Sequence, residues 1–183
     1  MKKITSLIIV FSMLVAMLAC FDVSTAFAAT NGNCGANFGG TNAKWSLNTS
    51  TGVLTISGKG ATKDCGNVGS NQAPWKDSRD KIKSIVVEDG ITALGRYMFY
   101  KCEVAESVSL PSTLTAIGDT KFLEYGTFVD CKALTNVTLP SKLQTIGHAA
   151  FKGCSSLKSI KIPDSVTTIG TSAFEDCKAL STV

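Results

Sequence analysis

Pro140-Ser-Lys-Leu143-Gln-Thr-Ile146-Gly147-His-Ala-Ala150-Phe151-Lys-Gly-Cys154-Ser-Ser-Leu157-Lys-Ser-Ile160-Lys-Ile162 runs directly into Pro163-Asp-Ser-Val166-Thr-Thr-Ile169-Gly170-Thr-Ser-Ala173-Phe174-Glu-Asp-Cys177-Lys-Ala-Leu180-Ser-Thr-Val183. The second segment repeats the first at a period of 23 residues, with the apolar positions, the Gly, the Phe and the Cys superposed. A fixed period of this length marks a solenoid, because a single repeat cannot bury its apolar side without a neighbour.

The repeat extends backward with less regularity. Gly95, Phe99 and Cys102 stand at the same offsets, with Glu88 in place of the Pro, and Ile85 and Val87 precede it as Ile160 and Ile162 precede Pro163. Four rungs result, at about 88–110, 111–139, 140–162 and 163–183. Rung two is six residues longer than the 23-residue period, and its excess, between Gly118 and Phe128, holds Phe122, Leu123 and Tyr125.

Each repeat position has a physical task. Leu157-x-x-Ile160-x-Ile162 alternates like a strand, as do Leu134-x-x-Val137-x-Leu139 and Ala105-x-x-Val108-x-Leu110. Stacked at about 4.8 Å, such segments form a parallel sheet. Pro111, Pro140 and Pro163 end the strands because Pro donates nothing to a ladder. Leu114, Leu143 and Val166, with Ile117, Ile146 and Ile169, form a second apolar line across the coil. Gly95, Gly118, Gly147 and Gly170 are expected to allow a tight bend. Phe99, Phe128, Phe151 and Phe174 are expected to stack as an aromatic spine.

Ahead of the rungs, residues 29–81 read as a cap for the first exposed apolar side. Asn31 to Gly40, rich in Gly and Asn, reads as irregular. Trp45 and Leu47 alternate with polar neighbours, as do Leu54 and Ile56, with a Gly-containing turn between them, which predicts a β-hairpin. Gly58 to Gln72 reads as a polar loop and Lys76 to Lys81 as a short helical turn. Trp45 and Trp75 are the expected packing anchors.

The pattern Ile162-Pro163-x-x-Val166-x-x-Ile169-Gly170-x-x-Ala173-Phe174-x-x-Cys177-x-x-Leu180 closely resembles the BspA-like leucine-rich repeat. Cys34-Gly35, Trp45-x-Leu47, Gly52-x-Leu54-x-Ile56-x-Gly58-x-Gly60 and Pro74-Trp75 resemble the segment that often precedes such repeats in exported bacterial proteins. The resemblance covers nearly all of residues 34–183. Glu88 for Pro, Met98 and Thr127 for the Ala before Phe, and the rung-two insert depart from the pattern. The resemblance implies a leucine-rich repeat solenoid, mainly β, that is secreted or held at the cell surface. It implies binding to host proteins, matrix or other cells, and no catalytic residues.

The first 28 residues read as a signal peptide: Lys2 and Lys3, an apolar run from Ile4 to Cys20, then Ala26-Phe-Ala28 at the cleavage point. The run is short for a membrane span, which needs about 20 apolar residues. Leu18-Ala19-Cys20 faintly resembles a lipoprotein signal, but Leu18 is bulky where a small residue is wanted. Beyond residue 28 there are 16 basic and 13 acidic side chains, scattered without a Lys/Arg block, which argues against nucleic acid. Catalytic constellations are missing, no cofactor motif is present, and the single His148 follows Gly147 at a variable position where a solvated side chain is expected.

Cys102, Cys131, Cys154 and Cys177 share one repeat position, spaced 29, 23 and 23 residues apart. Metal sites use closer pairs, and stacked rungs point side chains in parallel, so a ladder of buried thiols is expected rather than a metal site or disulfides. Cys34 and Cys65 lie in the cap of an exported chain and are a candidate disulfide, although spacing alone leaves open whether they meet. The strand faces turned to solvent carry Ser84, Ser107, Asn136, Ser159 and Thr182 in one line and Val86, Ser109, Thr138 and Lys161 in the next. Asn136, Thr138 and Lys161 from this face, with Phe122, Leu123 and Tyr125 from the insert, are the candidate partner-binding residues. The face is equally read as a plain solvated sheet, because it lacks the Tyr, Trp and Arg anchors of strong interfaces, and the insert equally as a loop that caps its own rung. Nothing covers Val166, Ile169, Phe174 and Leu180 of rung four, so a longer array or end-to-end self-association is expected. The alternative to an adhesion or protein-binding module is a structural spacer of the cell envelope.

Overall fold

The computed structural model describes residues 30–121 and 126–183. Residues 1–28, read above as a signal peptide, and the insert residues Phe122, Leu123 and Tyr125 lie outside the described residues.

Two sheets enclose one apolar core. Seven strands form the first sheet, in the order β1 (Thr30–Asn33), β2 (Ala43–Asn48), β3 (Val53–Gly58), β5 (Ser84–Val87), β7 (Ser107–Ser109), β9 (Asn136–Val137) and β11 (Ser159–Ile160). From β3 onward every pairing is parallel. Ser84, Ser107, Asn136 and Ser159 stand in register, as do Ile85, Val108, Val137 and Ile160. A bridge from Ser159 to Thr182 carries the line into rung four. Ile85, Val137 and Ile160 are buried, whereas Ser107, Asn136 and Ser159 are exposed, the period-two division expected of a sheet with one wet face.

The second apolar line of the sequence forms a sheet of its own. It consists of β4 (Gly60–Ala61), β6 (Ile91–Leu94), β8 (Ala116–Ile117), β10 (Thr145–Ile146) and β12 (Thr168–Ile169), paired in parallel. Most of these strands are two residues long, too short for alternation to show in the sequence.

Cap and solenoid are one continuous sheet. The hairpin forms as expected, with Trp45 opposite Ile56 and Leu47 opposite Leu54. Its second strand then pairs in parallel with β5, and the loop after it donates β4 to the second sheet. The segment read as irregular begins instead with a strand: β1 pairs antiparallel with the outer edge of β2, placing Gly32 against Trp45. Its residues, Thr30-Asn-Gly-Asn33, carry no apolar alternation that would mark a strand in the sequence. Residues 76–81 make a 3-10 turn.

An aromatic column fills the interior. Phe99 stacks on Phe128 with centroids 4.9 Å apart, Phe128 on Phe151 at 5.2 Å and Phe151 on Phe174 at 5.6 Å. Trp75 stacks on Phe99 at 5.9 Å, and Trp45 meets Trp75 edge-on at 5.5 Å. The two tryptophans thus close the column at the cap end. At the far end Ile169 is 50% exposed.

The repeat glycines act differently from expectation. Gly95, Gly147 and Gly170 are not in the left-handed region; only Gly118 is, at φ 71°. Their constraint is contact between rungs. A Cβ on Gly147 would stand 2.5 Å from both the backbone N and O of Asp119, one on Gly95 would strike the carbonyl of Lys63, and one on Gly170 the backbone N of His148. Left-handed geometry falls instead two residues after each Phe, at Lys101, Asp130, Gly153 and Asp176, with φ of 56°, 60°, 74° and 59°.

Candidate functional site on the polar face

Asn136, Thr138 and Lys161 meet along one groove. It encloses about 640 Å³ and is also lined by Ser141, Ser159, Asp164 and Ser165 over an apolar floor of Val137, Leu139 and Ile162. The groove has a local cause. Strand β9 stops at Val137 and β11 at Ile160, so residues 138–139 and 161–162 run toward their prolines without strand pairing, and the rungs part there. A second groove of about 460 Å³ lies on the rung-one side, lined by Ser109, Leu110, Ser112 and Pro140, and shares Thr138 and Ser141 with the first. Together they make a channel of mixed polar and apolar lining that takes residues from all four rungs.

The channel brings polar and charged groups together with apolar ones. Hydroxyls, an amide, the Lys161 ammonium and the Asp164 carboxylate stand over buried Val137 and Leu139. Lys161 makes no salt bridge among the described residues, whose ion pairs lie elsewhere, as in Glu103–Lys132 and Lys152–Glu175, both 3.0 Å and both between adjacent rungs. Among the described residues no group of three His, Cys, Asp or Glu is arranged to hold a metal, and no helix is long and apolar enough to cross a membrane.

The four repeat cysteines are buried free thiols. Cys131, Cys154 and Cys177 each donate to the carbonyl of the Phe one rung earlier: to Phe99 and Phe128 at 3.2 Å and to Phe151 at 3.1 Å. Each of those carbonyls also accepts the amide of the Cys in its own rung, at 3.2, 3.3 and 3.1 Å, so the thiol occupies the second lone pair. Burial pushes the Cys102 thiol up to about 12 and raises Cys131, Cys154 and Cys177 as well. These thiols are structural and poor nucleophiles. Cys34 and Cys65 are also free and buried in the structure. Burial, and then the proximity of Cys65, pushes Cys34 up to about 12; burial pushes Cys65 up to about 11. The Cys65 thiol lies 3.9 Å from the Met98 sulfur.

One departure from the repeat and one variable position acquire roles. Thr127, in place of Ala, is fully buried and donates its hydroxyl to the Gly95 carbonyl at 3.1 Å. His148, expected to be solvated, is engaged on both ring nitrogens, with Thr171 and Thr120. Sequence reading also missed the cluster on rung one, where Arg79 and Lys101 both lie over the Tyr100 ring, at 5.5 and 5.4 Å from its centroid. Nothing in the repeat pattern marks Tyr100, because the other rungs carry Val129, Lys152 and Glu175 there.

A family model described as BspA type leucine rich repeat region, six copies, matches residues 121–183. Among solved structures, a leucine-rich repeat protein from Eubacterium ventriosum is 28% identical with a TM-score of 0.60, over 85% of this chain and 44% of its own length. One from Bacteroides ovatus is 25% identical with a TM-score of 0.54, over 80% and 40%. The T. pallidum leucine rich repeat protein is 23% identical with a TM-score of 0.53, over 75% and 65%, and shares the fold. This chain thus spans less than two thirds of each of these proteins. No curated protein matches it.

Proposed function

We propose that this chain, whose repeats from residue 121 onward are of the BspA leucine-rich type, is an exported, non-catalytic binding module that holds a protein or cell-surface macromolecule against this channel. The observation that carries this reading is the groove of about 640 Å³ where Asn136, Thr138, Ser159 and Lys161 converge over apolar floor residues. A solenoid held by an aromatic column and paired sheets presents these groups with little conformational cost, which is how preorganisation favours affinity. The insert residues Phe122, Leu123 and Tyr125 belong to the same proposal as a second contact loop. Export and surface display follow from the signal-peptide pattern of residues 1–28. In an oxidising compartment Cys34 and Cys65 would close a disulfide, which peptide mapping without reductant detects.

Immobilised protein, challenged with matrix proteins and cell-surface extracts, tests the reading. Capture of a partner by the parent chain, with loss of capture by the Asn136→Ala/Lys161→Glu variant, supports the groove. Capture that survives this change but is lost with Phe122→Ser/Tyr125→Ser moves the site to the insert. The spacer reading is favoured by the absence of Tyr, Trp or Arg from the groove lining, and it predicts that folded parent and variants alike retain nothing.

A further inference from the structure

After three of the repeat glycines, Gly95, Gly147 and Gly170, the next amide takes an acceptor on the coil before it. In rung one the Arg96 amide takes the Asp64 carboxylate at 2.9 Å. In rung three the His148 amide takes the Asp119 carbonyl at 2.9 Å. In rung four the Thr171 amide takes a side chain, His148 Nδ1, at 2.7 Å. Because that nitrogen accepts a backbone N–H, it carries no proton, and the ring's hydrogen resides on Nε2. Nε2 in turn donates to the Thr120 carbonyl at 2.9 Å. One neutral tautomer of one ring therefore ties the start of the rung-two insert to rung four across rung three.

We propose that His148 is a pH-sensitive clasp between rungs two, three and four. An imidazolium has a hydrogen on both nitrogens. Protonation keeps the bond to Thr120 but sets an N–H of the ring against the N–H of Thr171, and that contact opens. The second-sheet link from Gly170 to the Ile146 carbonyl, at 2.8 Å, lies one residue away, so the loosening falls on the last rung. His is the side chain that changes charge between about pH 5 and 8, and His148 is the chain's single histidine. Among the described residues Asp119 lies on the rung-two side, next to Thr120; its carboxylate accepts the Lys121 amide at 3.0 Å and pairs with Arg96 at 3.6 Å. On rung four no charged residue lies between Gly170 and Phe174.

The test is NMR on the full chain between pH 7.5 and 5.0. Long-range ring nitrogen correlations should show an unprotonated Nδ1 at pH 7.5. On acidification, the Thr171 amide proton should shift along the same curve as the His148 ring. Its hydrogen-exchange protection should fall about five- to tenfold, the equivalent of one lost hydrogen bond. In His148→Gln the pH dependence of rung-four protection should vanish over this range. A protonated Nδ1 at neutral pH, a Thr171 amide indifferent to ring titration, or the same loss of protection in H148Q would each overturn the proposal. The readout does not depend on a binding partner, so it stands apart from the test of the groove.

Discussion

The Cys154 thiol donates to the carbonyl oxygen of Phe128, one rung earlier, at 3.2 Å. The same geometry joins Cys131 to Phe99 and Cys177 to Phe151. The repeat cysteine is therefore a rung-to-rung tie as well as a small apolar filler. An Ala would fill most of its volume but leave the second lone pair of a buried carbonyl unused. Cys154→Ala is expected to destabilise the fold by about 1–2 kcal/mol, from lost burial and one weak hydrogen bond. Denaturant unfolding of the two proteins measures it.

The raised thiols give stability an alkaline limit. Cys102 ionises at an ordinary 9.0 when unfolded and at about 12 when folded. The folded state thus favours the protonated form. Its contribution is complete below about pH 9 and is lost as pH rises from there toward 12. One such thiol makes stability fall by up to about 1.4 kcal/mol per pH unit in that window. In Cys102→Ala the fall between pH 9.5 and 11 should be shallower by about that amount. At pH 8 the four ladder thiols should resist iodoacetamide in the native protein and react in denaturant.

Lys101 and Gly153 occupy the same left-handed repeat position, at φ 56° and 74°. A side chain there costs about 1–2 kcal/mol of backbone strain, set against the extra chain entropy of glycine. Lys101→Gly is expected to stabilise by about 0.5–1 kcal/mol despite losing its contact with Tyr100. Gly153→Ala should destabilise by about 1–3 kcal/mol, because its Cβ also meets the Asp130 carboxylate. Gly147→Ala, blocked by the Asp119 backbone rather than by φ, should cost about 3 kcal/mol or more. Thermal melts of the three variants separate the two uses of glycine.

Trp75 closes the aromatic column, and its buried Nε1 has no acceptor among the described residues. Trp75→Ala should cost about 3–5 kcal/mol. Trp75→Phe should cost about 1 kcal/mol, since it keeps an aromatic face on Phe99 and removes an orphaned donor. If both variants were equally damaging in urea titrations, the indole N–H would have to be making a bond of its own.

Much of the candidate site was legible in the sequence, and its shape was not. The alternation around Ile160 and Val137 put Asn136, Thr138, Ser159 and Lys161 on the wet face, and strand register aligns Ser159 with Asn136. That they surround a groove depends on where β9 and β11 stop pairing, which no residue type announces. His148 occupies a position without a repeat identity, so only the rungs stacked on either side of it disclose its two partners.

By itself, the sequence determined the 23-residue rung, the strand before each proline, the phenylalanine column and the thiol line. All of these are local burial patterns, and periodicity records burial directly. The tertiary structure alone decided how closely the rungs approach. That distance makes Gly95, Gly147 and Gly170 obligatory, lets two-residue strands add up to a second sheet, and fuses the cap to both sheets through β3 and β4. These are contacts between residues more than 20 positions apart, and they exist only once one coil lies on the next.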